Sequence, residues 1–513
     1  MHPNFPSLQS FNHGSYKQCI YLYIEDENHF RKSKRYLIAL FQGHSVLIVH
    51  LTLDACRVIT SASKRKKTVN HDRVANLRDD GTIFVQIERD RKNNTLSPTL
   101  VELKNLFDDT EDLPLDIDFN EFTTFPQPPI LQPKVLEQYF DLLLDVLPRW
   151  RSVVFWAAYI SRESLLKREL RVPDAPLLET VVLHGLPEWD LPLLCGLLSV
   201  CWKNSPRFRH YESRQFHEGT FPSAAPRIHL ACISFQQIRA LHMDNQMTAT
   251  ECIDVLYFAV ALEDCAFTNV RGPGLIGQTF VHQSLKSLKL AVNFEDHSQS
   301  QPTFLWCIFD TFKAPALQRL SIECDDGWRN ESFLRFIQTS QCQLLALEFE
   351  MVGLSENELT ILLLHTLKLQ ALKIHGDSSQ SPQAVSPQVL RALTNYSSQF
   401  MLCPELVAIS LNDDAMEDIC GGSFSLMISS RMGGTPLKVV WLAMKKDDPD
   451  HQIDIQNLVQ VHKDNPKVLD RVHICETNDG RWVWDRHVVE ILEAREGMIA
   501  NSGSGQDDWD MEL

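Results

Sequence analysis

One six-residue phrase recurs through the second half of this chain: an apolar residue, two variable residues, an apolar residue, one variable residue, an apolar residue. It reads LKSLKL from Leu285, LQRLSI from Leu317, LLALEF from Leu344 and LQALKI from Leu369. It continues as LVAISL from Leu406, LKVVWL from Leu437 and LDRVHI from Leu469, with successive starts 32, 27, 25, 37, 31 and 32 residues apart. Side chains alternate along a strand, so the last two apolar residues and the variable residue between them point to opposite sides. Burying one such apolar side chain contributes roughly 1.5–3 kcal/mol. A lone copy has nothing to bury against, so copies must stack, and their strands then form a parallel sheet.

Earlier copies are ragged. WRSVVF starts at Trp150, LETVVL at Leu178, IRALHM at Ile238 and LEDCAF at Leu262, and the gap between 178 and 238 leaves room for one more near Phe208–Tyr211. The segments between copies have helical length and spacing over Thr303–Phe312, Glu331–Ile337, Glu356–Thr366 and Ile453–Lys463. Ser355 and Glu358 have the spacing of a capping box. Pro176, Pro315, Pro404, Pro436 and Pro466 stand one to three residues ahead of a copy, where proline ends the preceding helix. The unit is therefore helix, proline stop, short strand. The predicted fold class is α/β, a leucine-rich-repeat solenoid: an irregular horseshoe with parallel strands on the concave side and helices on the convex side. Irregularity is expected because only Asn293 fills the turn position where such repeats often carry Asn or Cys.

The expected organisation is an uncertain N-terminal region over 1–80, a strand and acidic, proline-rich connector over 81–133, the repeats over 134–490, and a disordered acidic tail over 491–513. In the connector, LPLDIDF (Leu113–Phe119) alternates as a half-buried strand does. Gly376–Gln388 accounts for the long 37-residue spacing as a projecting loop. Tyr36–Leu53 is apolar but broken by Gln42, Gly43, His44, Ser45 and His50, so two short strands and a turn are predicted there, not a membrane span.

Charge and chemistry narrow the function. The net charge of −17 is uneven: residues 1–80 carry about +5, including RKSKR (Arg31–Arg35) and KRKK (Lys64–Lys67), and the remainder carries −22. An acidic body excludes a large nucleic-acid footprint. The 13 Cys include no CxxC pair, which fits reduced thiols in an intracellular protein, cytoplasmic or nuclear. P-loop, nucleophile-elbow and HExxH motifs are absent, and no His pairs with Cys or carboxylate at ligand spacing, so no enzyme, cofactor or metal is expected. Asp413, Asp414, Glu417 and Asp418 read as a solvated turn, and Arg271–Gly277 (RGPGLIG) as a loop.

The variable strand positions predict the binding face. They are Ser287/Lys289, Arg319/Ser321, Ala346/Glu348, Ala371/Lys373, Ala408/Ser410, Val439/Trp441 and Arg471/His473. Lys289, Arg319, Glu348, Lys373, Trp441, Arg471 and His473 are the candidate partner contacts, with Trp441 foremost because Trp and Arg dominate interface energetics. A competing reading packs Trp441 under Arg481–Arg486 (RWVWDR).

Several pieces in order resemble the fungal F-box leucine-rich-repeat proteins of mushroom-forming species. They include LVELKNLF (Leu100–Phe107), PRWRSVVF (Pro148–Phe155), APLLETVVL (Ala175–Leu183), APALQRLSI (Ala314–Ile322), LCPELVAISL (Leu402–Leu411) and SLMISSRM (Ser425–Met432). The resemblance implies a substrate-recognition subunit of a cullin-based ubiquitin ligase, binding a protein substrate through its repeats and the ligase's small adaptor through its F-box. The F-box itself is not recognisable in residues 1–80, and it has diverged, been lost, or been replaced by a different N-terminus. The alternative is a leucine-rich-repeat scaffold with no ligase link.

Overall fold

The computed structural model describes residues 20–23, 35–42, 45–52 and most of 75–476. The longer gaps after residue 75 are 121–132, 157–173, 185–204, 215–234 and 293–304. Basic clusters, the Arg481–Arg486 segment and the acidic tail lie outside the described residues, apart from Arg35 at a strand start.

The chain divides into two units, 1–73 and 74–513. In the first, β1 (Ile20–Tyr23), β2 (Arg35–Gln42) and β3 (Ser45–Thr52) form an antiparallel sheet in that order. The β2–β3 pairing runs from Arg35↔Thr52 to Gln42↔Ser45. The polar break Gln42–Ser45 that argued against a membrane span is thus where the chain reverses. The described residues of this unit are strands, where an F-box would be helical.

The second unit is built on one long sheet. It opens with β4 (Ala75–Leu77), β5 (Ile83–Asp90), β6 (Thr95–Ser97), β7 (Leu115–Asn120), β8 (Trp150–Trp156), β9 (Thr180–His184), β10 (His210–Arg214) and β11 (Ala240–Met243). After the short β12 (Met247–Thr248) come β13 (Asp264–Arg271), β15 (Ser287–Val292) and β17 (Arg319–Glu323), while β14 (Phe280–Val281) and β16 (Phe312–Lys313) pair in parallel with each other as a separate two-stranded sheet. The sheet closes its run with β18 (Ala346–Glu350), β19 (Ala371–His375), β20 (Ala408–Asn412), β21 (Val439–Met444) and β22 (Arg471–Glu476). From β7 to β22 each repeat strand pairs in parallel with the next, and β5 joins in parallel at β7. Among the described strands of this sheet, β4 and β6 alone pair antiparallel, both with β5. The sheet therefore starts upstream of residue 134: β4 falls at the end of the region expected over 1–80, and β5, β6 and β7 fall in the strand and connector stretch over 81–133. Its terminal strands do not pair with each other among the described residues.

The apolar slots explain the parallel order. Leu285, Leu288 and Leu290 are buried, as are Leu317, Leu320 and Ile322, and the same holds for the copies at 344, 369 and 406. The ragged copies obey the rule too: Trp150, Val153 and Phe155 are fully buried, and so are Leu262, Cys265 and Phe267. At β10 the slots are Phe208, Tyr211 and Ser213, all buried. A serine in the third slot is what hides this copy from a hydrophobic pattern.

Helices supply the facing apolar surface. They are α1 (Leu100–Asp109), α2 (Pro133–Asp145), α3 (Ala249–Phe258), α4 (Trp306–Thr311), α5 (Asn330–Ser340), α6 (Glu356–His365), α7 (Pro387–Leu393), α8 (Ser423–Arg431) and α9 (Pro449–Asp464). Consecutive helices from α4 to α9 pack on one another, and their buried residues join the strand slots in one core. Phe309, Phe333, Phe336 and Phe349 form an aromatic cluster there, with Phe309 and Phe336 centroids 5.3 Å apart. The capping box at α6 is present: Ser355 Oγ accepts from the Glu358 amide at 3.4 Å, and Glu358 accepts from the Ser355 amide at 2.9 Å. Thr99 with Glu102 and Thr248 with Glu251 make the same box at α1 and α3.

Three features differ from the sequence expectation or lie beyond it. The predicted loop Gly376–Gln388 is shorter on the fold, because Ala384, Val385 and Ser386 are buried and α7 begins at Pro387. Ser386 caps α7 by accepting from the Gln388 and Val389 amides, and Pro at the first helical position costs no hydrogen bond. Buried Arg431 donates to the carbonyls of Leu393 (2.6 Å), Cys403 (2.9 Å) and Leu402 (2.6 Å). Burial pulls its guanidinium down to about 10, yet three carbonyl acceptors keep the cation satisfied. At the other end of the sheet, buried Asp116 accepts from Arg78 and, at 2.9 and 2.6 Å, from Arg151.

Candidate partner-binding face

Strand register sets the candidate residues side by side. One row across the sheet is Ser287, Arg319, Ala346, Ala371, Ala408, Val439 and Arg471, each the direct partner of the next. The next row is Lys289, Ser321, Glu348, Lys373, Ser410, Trp441 and His473. Both rows alternate with the apolar slots, so they occupy the face opposite the helices. The side chains of Arg471 and His473 lie outside the described residues, and only their register positions are assigned.

The face is neither uniformly exposed nor uniformly polar. Ala346, Ala371, Ala408 and Val439 form a second apolar cluster, separate from the main core, with Trp441 packed against it and half-buried. Trp441 therefore commits part of its ring to the sheet itself. Lys373, read from sequence as an exposed contact, is buried, with its side chain 5 % exposed and its ammonium 3.0 Å from Glu350. A partner cannot reach it without moving its neighbours. Glu348 accepts from Ser321 Oγ at 3.1 Å, and burial raises its carboxyl above the ordinary value despite the nearby Lys373 and Lys289 charges. Lys289 and Arg319 are half-buried on the same face.

Residues that the six-residue phrase did not single out complete the face. His375 is buried, and its Nε2 lies 2.9 Å from Ser410 Oγ. Its Nδ1 is buried without a hydrogen-bond partner. Burial, with the Lys373 charge, pulls the ring down to about 3, so His375 is neutral near pH 7. Asn412 accepts from the Gly376 amide (2.8 Å) and the Ala415 amide (3.1 Å) and donates to the Gly376 carbonyl (2.9 Å). It ties two strand ends together one residue past the last apolar slot, two residues before Asp414 in the repeat's usual Asn position. A Cβ at Gly376 would stand 2.6 Å from the Asp414 carbonyl oxygen, so the close approach requires glycine. Farther along the sheet, His210 and Glu212 on β10 stand beside His242 on β11, and Asp264 on β13 lies 3.0 Å from His242 Nε2. His210 and Glu212 form a His–carboxylate pair two residues apart, which the sequence expectation leaves out, and His242 joins them from a whole repeat away.

Fold and face together define the class: a mixed α/β repeat protein with a long parallel sheet, helices on one side and a partly polar face on the other. No family model and no curated protein matches the chain. Among solved structures it is similar to the leucine-rich repeat-containing protein LegL7 from Legionella pneumophila, with 14% identity and a TM-score of 0.32 over 61% of this chain and 90% of that one. It is also similar to a protein from Bacteroides fragilis, with 11% identity and a TM-score of 0.32 over 92% of this chain and 96% of that one. No helix among the described residues is long and apolar enough to cross a membrane.

Proposed function

We propose that this protein is a leucine-rich-repeat solenoid that binds a protein partner through the face formed by the two register rows. The observation that carries the reading is the register itself: it turns two variable slots per repeat into a continuous surface over seven strands. Buried and half-buried positions on that face supply an apolar patch around Trp441, and Lys289 and Arg319 supply charge near β15 and β17. Aromatic and arginine anchors beside an apolar centre are the usual energetic focus of an interface. The test is affinity purification with Trp441→Ala and with a Lys289→Glu/Arg319→Glu double variant. The reading expects a partner captured by the wild type to be lost from both and kept by a variant on the helical side, Ile361→Asp. Equal capture by all four proteins refutes it.

The face is proposed to be non-catalytic. A Ser–His pair exists at Ser410 and His375, but both are buried and the ring is a poor base when its conjugate acid loses a proton near pH 3. Its Nδ1 has no carboxylate to orient it.

The resemblance to F-box proteins adds a narrower reading, in which the bound protein is delivered to a cullin-based ligase. Its supporting observation is that the resembling pieces fall on strands and helices of the repeat sheet, including β8, β9, β17, β20 and α8. Against it stand the three antiparallel strands described within residues 1–73. Co-purification of the full chain with the ligase's small adaptor protein decides it, and absence of that adaptor leaves the scaffold reading.

A further inference from the structure

We propose that His210, Glu212 and His242 form a site for one divalent cation of the zinc class on the open face of the sheet. His210 and Glu212 are two residues apart on β10, so their side chains leave the same side of the strand. The parallel register places Glu212 directly against His242 on β11. One ligand atom from each of the three residues can be chosen so that all lie within 4.8 Å of one another.

The geometry has a gap of the right size. His210 Nε2 is 3.8 Å from Glu212 Oε2, too far for a hydrogen bond. That nitrogen is shielded from solvent and has no hydrogen-bond partner. Donor atoms around a tetrahedral zinc ion, with bonds of about 2.0–2.2 Å, lie roughly 3.3–3.5 Å apart. A contraction of a few tenths of an ångström along this pair therefore lets one ion satisfy the orphaned His210 nitrogen while also binding the Glu212 carboxylate. His210 and His242 present their rings edge to face at 69°, with centroids 5.5 Å apart, so the imidazoles are not stacked flat against each other.

Asp264 completes the arrangement from the next strand. Its Oδ2 is 3.0 Å from His242 Nε2. When Nε2–H donates to that carboxylate, the lone pair of the neutral ring resides on Nδ1 and the ring orientation is fixed. Metal-ligating histidines are oriented by carboxylates in this way. The donor set also selects the ion. Magnesium and calcium take oxygen ligands, whereas two imidazoles and one carboxylate suit zinc and its neighbours. The His210, Glu212 and His242 side chains are 34 %, 14 % and 33 % exposed, so an ion can enter from solvent and a fourth coordination position is available.

The test titrates Zn²⁺ into the metal-free full chain and reads the stoichiometry by competition with a chromogenic chelator. Co²⁺ serves as the spectroscopic probe, because the chain holds 13 Cys that can also bind metal. One Zn²⁺ per chain is expected, with a Co²⁺ spectrum lacking the thiolate charge-transfer band. His210→Ala, His242→Ala and Glu212→Gln should each lose that ion. Asp264→Asn, which alters only the orienting carboxylate, should lower Zn²⁺ affinity by about 10- to 100-fold. The replaced side chains are partly exposed, and urea unfolding of the metal-free variants verifies that they fold. No stoichiometric Zn²⁺ in the wild type, a thiolate band in its Co²⁺ spectrum, or undiminished binding by folded His210→Ala and His242→Ala overturns the proposal.

Discussion

His375 couples the stability of this sheet to pH. The perturbation is acidification of the wild type and of His375→Gln, which keeps a polar group within reach of Ser410. In the folded protein one ring nitrogen meets Ser410 and the other has no acceptor, so a second N–H could not be satisfied. Burial and the adjacent Lys373 hold the folded ring at about 3. An unfolded histidine titrates near 6.5. The unfolded chain therefore takes up the proton first, and stability falls as pH drops through about 6.5 and keeps falling until about 3. Between pH 7.5 and pH 5 the unfolded state gains RT ln(1 + 10^1.5), about 2 kcal/mol, while the folded state gains almost nothing. Urea unfolding at both pH values gives the loss for each protein, and the variant's own baseline cancels in the difference. The wild type should lose about 2 kcal/mol more than His375→Gln over this interval. A difference below about 0.5 kcal/mol would show that the ring protonates in the folded state, and the burial argument would fail.

Other positions make sharper structural tests. Arg431→Met removes the donor to three buried carbonyls and should cost about 3 kcal/mol in urea unfolding, since unmet buried acceptors cost about 1–3 kcal/mol each and partial relaxation recovers some. Phe336→Ala, in the aromatic cluster and 1% exposed, should cost about 3–5 kcal/mol by the same measurement. Gly376→Ala should cost about 1–3 kcal/mol, because its Cβ would press on the Asp414 backbone, and amide exchange at the ends of β19 and β20 should rise first.

The strand slots were legible because burial repeats: Leu288, Leu320, Leu347 and Leu372 each occupy the same position in a phrase and the same row of the sheet. The capping box at Ser355 was legible because it is a contact over three residues. The copy at β10 was hard to place because Ser213 stands where an apolar residue is expected. Helix α7 is hidden in the sequence because Pro387 reads as a loop residue unless the Ser386 cap is known.

The sequence by itself determined the repeat, its parallel strands and the two rows of outward positions, since alternation and spacing follow from local geometry. Tertiary structure decided what those positions do. It buried Lys373 against Glu350, packed Trp441 on a row of small residues, drove His375 to neutrality and brought His210 and Glu212 beside His242. Such neighbours lie about one repeat apart in the chain, and only the register of strand against strand puts them within reach.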